Sequence, residues 1–273
     1  MNEIRDTVRQ TVVLVSAVVA VVGAFIGSGA AGGTPIQEAA GGALAADATP
    51  IAPGGAAFAI WTPIYVGLLA YAVWQSLPKQ RADARQRRLG YPIAASLILN
   101  AAWILSIQFG YLAASVPIIA ALLVVLVWTF RITLASRPKN LVETIVADGT
   151  VGLYLGWVCV ATAANITALL VASGFRGFGL GADAWAVAIV IVAGLVGVFL
   201  AIRGRGRLAP AVSLSWGLAW VAVARLTGTL LSPPAAVAAI VAVAAVIVVT
   251  VVLRIRSTRL DSASTGNSQA VAA

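Results

Sequence analysis

The sequence predicts an all-α fold, a polytopic bundle of helices that cross a bilayer. Of its 273 residues 61% are hydrophobic and only 10% charged, against roughly 25% charged in an ordinary soluble domain. Mean hydropathy is +0.99. The apolar residues are gathered into runs of the length a spanning helix requires, about 20 residues, and the basic residues are gathered between them. A soluble globule and a disordered chain are both excluded, because neither tolerates so little polar surface. The formal charge of +9 reads as a set of topology signals for a lipid bilayer and not as a nucleic-acid footprint. Cys159 is the single cysteine and the chain has no histidine. That leaves no disulfide framework, no cysteine-based metal site and no imidazole chemistry.

Eight apolar runs fall near 11–31, 57–77, 91–110, 115–134, 148–172, 184–202, 209–230 and 235–253, each bounded by charge, Gly or Pro. With the N-terminus inside, sixteen of the eighteen basic residues lie on one side, and Arg176 and Arg225 are the exceptions. The positive-inside rule then puts both termini in the cytoplasm of a bacterial-type inner (plasma) membrane. The first run follows Arg5 and Arg9 and ends near Ser28-Gly29-Ala30, so it also has the form of a secretory signal. Gly23, Gly27, Gly29 and Gly33 give small-x-x-x-small spacing, which permits close helix packing or a homodimer contact. The outer loop 32–56 is the longest connection and carries no Lys or Arg; it is a lid over a site or a plain Ala/Gly linker. The tail 257–273 is small and polar and is expected to be disordered.

Within the runs the informative residues are polar or aromatic. A side-chain amide without a partner in hydrocarbon costs several kcal/mol, so Asn100 and Asn165 should face the bundle interior. Trp61 and Tyr65 are four apart, Asn100 and Trp103 three apart, and Tyr154 and Trp157 three apart, so each pair shares a helix face. Trp157 and Asn165 are offset by about 80° around their helix and can border one cavity. These seven residues converge on an outward-facing pocket beneath loop 32–56. The alternative is that the aromatics are interfacial anchors and the amides interhelical glue.

Four stretches carry a family resemblance. Trp157-Val-Cys-Val-Ala-Thr-Ala-Ala-Asn165 resembles the fifth-helix motif W-x-x-x-A-T-x-x-N of the TspO/MBR family, the tryptophan-rich sensory or translocator proteins. Pro53-Gly54 followed by Phe58, Trp61 and Tyr65 is similar to that family's second-helix entry, and Asn100-Ala-Ala-Trp103 with Phe109-Gly110 to its third helix. Trp128 stands where the fourth helix of the family commonly has a tryptophan. The resemblance, over 11–172, implies a five-helix core with a long first loop covering an aromatic pocket. It further implies a porphyrin, haem or other hydrophobic small molecule as ligand, and a homodimer. The pocket candidates carried over are Trp61, Tyr65, Asn100, Trp103, Tyr154, Trp157 and Asn165, the same set that the spacing selects. Without histidine a haem would be held by stacking and hydrogen bonds, as a ligand and not as a resident cofactor.

The expected organisation is therefore a ligand-binding five-helix unit over 1–172, a three-helix transmembrane extension over 173–256, and the tail. In the seventh run Arg225 is costly in hydrocarbon. It is expected to snorkel, to pair with Asp183, or to contact an anionic ligand such as a carboxylated porphyrin. Glu143 and Asp148 read as solvated caps at the start of the fifth span. No carboxylate pair, Ser/His pair or phosphate-cradling loop falls in the membrane region, so no catalytic or metal-binding residue is assigned and enzymatic activity is not expected. The function expected is a membrane sensor or translocator-like binder; the alternative is a secondary transporter, although no inverted repeat is visible.

Overall fold

The computed structural model describes residues 2–271, with side chains from 3 to 259. Among them are eight helices long and apolar enough to cross a membrane: α1 (Asn2–Gly27), α2 (Trp61–Gln75), α3 (Ala84–Gln108), α4 (Leu112–Ala135), α5 (Leu141–Ala172), α6 (Ala182–Arg203), α7 (Leu208–Thr227) and α8 (Pro233–Val271). The expected tail lies, from Leu260 on, outside the residues whose side chains are described.

Several helices begin earlier than hydropathy alone places them. α3 starts at Ala84 because the Asp83 carboxylate accepts from the backbone N–H groups of Arg85 and Gln86 at 2.8 and 2.9 Å, which satisfies the free donors of its first turn. α5 starts at Leu141, where the Asn140 side chain accepts from the Glu143 N–H at 2.9 Å. Its residues Thr144–Gly149 form a π-helical turn before the regular α-helix resumes. Burial alone would raise the Asp83 carboxyl, but the Lys139 ammonium and the two backbone donors outweigh it and hold it below the usual carboxylate range.

α1 packs along α3, α3 along α4 and α4 along α5, while α2 lies against α1 and the π-helical turn of α5. α7 packs along α5, and α8 spans α6 and α7. Two buried apolar clusters result. One centres on Leu68, Leu97, Ile107, Leu122, Tyr154 and Trp157, and the other on Val190, Leu214, Leu218, Ala239 and Val246. Outward faces carry exposed Val, Ile and Leu, as at Val124, Leu195 and Val248, as a lipid-facing surface must. Buried hydroxyls such as Ser96, Ser106 and Thr162 donate to carbonyls three or four residues earlier.

Close approach depends on small residues. Gly23 and Gly27 face Ala101 and Ile104 of α3, so this glycine pair serves packing within the chain. A Cβ at Gly156 would run into the Pro210 carbonyl oxygen and the Ser213 hydroxyl of α7. The basic clusters meet at one end of the bundle: Arg9 donates to the Gln80 and Arg81 carbonyls at 3.3 and 3.0 Å, and Arg87 Nε to Asp6 at 2.7 Å.

Glu143 and Asp148 are not solvated caps. They are 1% and 8% exposed and take the Arg85 guanidinium between them, with Arg85 Nη1 2.8 Å from Glu143. Glu143 also accepts from Gln86 Nε2 at 2.7 Å, and Asp148 from Arg207 Nη1 at 3.1 Å. Arg207 further reaches the Thr133 carbonyl at 2.9 Å, so one network ties α3, α4 and α5 to the base of α7.

The α5–α7 crossing yields a direct prediction. Overpacking a tight contact costs about 1–3 kcal/mol, so Gly156→Val should lower the melting temperature in detergent by several degrees. Gly181→Ala, whose Cβ meets nothing within 4 Å, should leave it unchanged.

Candidate functional site

At the end opposite the basic clusters, the chain between α1 and α2 folds back over the bundle. Its residues Thr49, Ile51 and Ala52 are buried, and Gly55–Ile60 form a 3-10 turn leading into α2. This delivers Phe58, Trp61 and Tyr65 onto the parts of α3 and α5 remote from the basic clusters.

All seven expected residues come together there. The Trp61 ring lies 5.6 Å from Tyr65, 6.3 Å from Trp103, 5.9 Å from Tyr154 and 6.2 Å from Trp157. Phe58 and Trp157 form a T-shaped pair at 5.8 Å. The two amides fix the rings in place. Asn100 Nδ2 donates to the Tyr65 hydroxyl at 2.7 Å, Trp103 Nε1 donates to Asn165 Oδ1 at 2.8 Å, and Asn165 Nδ2 donates to Ser115 Oγ at 2.7 Å. Tyr154 donates to the Ser96 carbonyl at 3.3 Å. Ser115 is the member that sequence reasoning missed; its place in the first turn of α4 carries no signal of its own. Trp128 and Phe109 stand apart, 59% and 64% exposed.

Five of the seven are buried, but Trp61 and Tyr65 are only half-buried. Both line a cleft of about 320 Å³ whose other walls include Phe25 of α1, Ser28 just beyond it, Phe58 and Trp103. A second space, under the loop and beside Trp157 and Asn165, holds only about 30 Å³, the share of a single water. Two buried polar atoms of the cluster, Asn100 Oδ1 and Trp157 Nε1, have no hydrogen-bond partner among the described residues. Each such atom costs about 1–3 kcal/mol.

The covering loop is held down by α7. Arg225, 1% exposed, donates from Nη1 to the Thr49 carbonyl at 3.1 Å and from Nη2 to the Ala46 carbonyl. The Gly54 N–H donates to the Trp220 carbonyl at 3.2 Å, Trp216 Nε1 to the Ala57 carbonyl at 2.9 Å, and the Thr229 hydroxyl to Asp47 at 3.1 Å. Arg225 thus neither snorkels nor pairs with Asp183, which accepts instead from the Ser232 hydroxyl at 2.6 Å. It also lies outside the aromatic cluster, its two bonded nitrogens engaged by loop carbonyls.

An aromatic cluster of this composition, under a loop and framed by two amides, is what the sequence motifs promised, and comparison with known families agrees. A family model described as TSPO-like protein matches residues 13–253. The chain belongs to the TSPO-like family. The match runs through all eight spans, so it takes in α6 to α8, which carry none of the motifs quoted above. No curated protein and no solved structure matches. This TSPO-like chain is accordingly a multi-pass membrane protein of a ligand-binding and sensory family.

The loop clamp makes the second prediction. Arg225→Ala removes two charge-assisted hydrogen bonds, each worth about 1.5–3 kcal/mol. Amide hydrogen exchange over residues 43–56 should accelerate while that of α3 and α5 stays at wild-type values. Unchanged exchange in the loop would show that Arg225 does not hold it.

Proposed function

We propose that this TSPO-like protein binds a planar hydrophobic small molecule of the tetrapyrrole class against Trp61, and that it acts by binding and not by catalysis. The observation that carries the reading is the half-buried Trp61 ring, open to the 320 Å³ cleft while in contact with four other aromatic side chains. Such a surface offers stacking worth about 0.5–1.5 kcal/mol per ring pair beyond simple burial. Asn100 Oδ1 and Trp157 Nε1 are an unmatched acceptor and donor behind the cleft, outside its lining, so a ligand would reach them only after the aromatic rings shift. The cleft is at the lower end of the roughly 300–1,000 Å³ that ligand pockets occupy. A full macrocycle therefore requires the loop to lift, and the bonds from α7 set the cost of lifting it. In this reading residues 1–172 bind, and 173–256 brace the lid. The positive-inside rule places the basic end and both termini in the cytoplasm, so the cleft opens on the outer side.

The test is a titration of the detergent-purified protein with protoporphyrin and with haem, following tryptophan quenching and the Soret band. Wild type should saturate. Trp61→Ala should weaken binding by about tenfold, the equivalent of one lost stacking partner, and Trp128→Phe, remote and exposed, should not. Absence of saturable binding by a folded wild type would discard the tetrapyrrole ligand.

A further inference from the structure

At the basic end, remote from the aromatic cleft, α4, the α6–α7 turn and α8 enclose a second and larger cleft of about 1,090 Å³. Seven arginines line it, Arg131 and Arg137 from the α4 end, Arg203, Arg205 and Arg207 around the turn, and Arg254 and Arg256 on α8. Its apolar wall is Leu134, Ile202 and Leu253. Arg207 is paired with Asp148. The other six have no carboxylate within ion-pair distance among the described residues, and all six are exposed.

Orientation signals need only positive charge somewhere in a loop; this cleft has a built geometry. Arg205 sits at φ +51°, a left-handed conformation that a long side chain rarely adopts. It is flanked by Gly204 and by Gly206 at φ +74°. A Cβ on Gly206 would strike the backbone of Arg254, so the turn is seated directly on α8, where the Ser257 hydroxyl donates to the Arg254 carbonyl at 2.9 Å and lies 3.4 Å from the Arg205 carbonyl. The α4 end, the turn and α8 together bring arginines from separate elements to one concave surface. Arg203 lies over the Phe199 ring at 5.9 Å, while Arg207, over Phe130 at the same distance, is turned inward to Asp148 and Thr133.

Six uncompensated guanidinium groups above an aliphatic wall, at the ends of membrane-spanning helices, match one occupant. We propose that this cleft is a binding site for an anionic phospholipid with two phosphates in one headgroup, of the cardiolipin class. The arginine fork matches phosphate oxygens bidentately. Two phosphates engage arginines from both walls at once, and the acyl chains lie along Leu134, Ile202 and Leu253. A free diphosphate would satisfy the charge but leave the apolar wall unused.

The full-length protein in phosphatidylcholine nanodiscs should retain cardiolipin in native mass spectrometry over phosphatidylglycerol supplied at equal total charge. The triple variant Arg203→Gln, Arg254→Gln, Arg256→Gln should weaken that retention by about tenfold or more, since each basic residue near an anionic surface contributes measurably. Its melting temperature in neutral lipid should stay within about two degrees of wild type, because none of the three forms an ion pair in the fold and only the exposed Arg203 contact with Phe199 is lost. Should the triple variant fail to fold, Arg131→Gln with Arg137→Gln removes the opposite wall and should give the same loss. Equal retention of the two lipids, or cardiolipin retention unaltered in a folded variant, would overturn the proposal. So would displacement of cardiolipin by inorganic pyrophosphate at equal concentration, which would show that the headgroup charge alone is read.

Discussion

The structure depends first on the Arg85 guanidinium, 6% exposed and held between Glu143 and Asp148. An uncompensated charge at that depth is not tolerated, and breaking one partner of such a buried pair typically costs about 3–5 kcal/mol. The local backbone is shaped to provide both partners. Glu143 and Asp148 are five residues apart, which in an α-helix turns them about 140° from one another. A π turn closes on i→i+5, and the π-helical segment Thr144–Gly149 brings the two carboxylates to the same face. Asp148 then has a second oxygen to give, and Arg207 takes it. The irregular turn is therefore the means by which one arginine on α3 fixes α5 and, through α5, the base of α7.

The opposite end is joined by a different kind of bond. There the contacts between α7 and the covering loop run mostly to backbone carbonyls, from Arg225, Trp216 and the Gly54 N–H. Bonds of this kind hold a loop without requiring a unique partner side chain, the two from the Arg225 guanidinium being charge-assisted and the strongest of the set. Charge pairs centred on Arg85 dominate at the basic end, and bonds from α7 to loop carbonyls dominate at the other.

The eight spans were legible because each is an apolar run of sufficient length, and the aromatic cluster because Trp61 and Tyr65, Asn100 and Trp103, and Tyr154 and Trp157 recur at helical spacing. Asn100 and Asn165 announced themselves as amides in hydrocarbon. Arg85 was not legible, because hydropathy treats a charge as the end of a span, and its partners lie 58 and 63 residues away. Glu143 looked like a helix-start cap for the same reason. Arg225 was recognisable as costly, but carbonyl partners leave no trace in side-chain composition, and Asp183 offered a false partner that Ser232 occupies. Small residues were legible as a pattern only; whether Gly23 and Gly27 meet α3 or a second copy is decided by Ala101 and Ile104.

The distribution of charge separates these roles further. In the Arg85 network two guanidinium groups face two carboxylates, so the network is close to neutral and its energy is spent inside the fold. At the α6–α7 turn the same residue type accumulates without compensation, on a backbone that includes a left-handed arginine. Mutual repulsion among six exposed guanidinium groups opposes that arrangement, and no carboxylate among the described residues offsets it. A concentration of like charge that the fold bears at a cost is best balanced from outside the chain, and at the ends of spanning helices the anions within reach are those of the lipid headgroups.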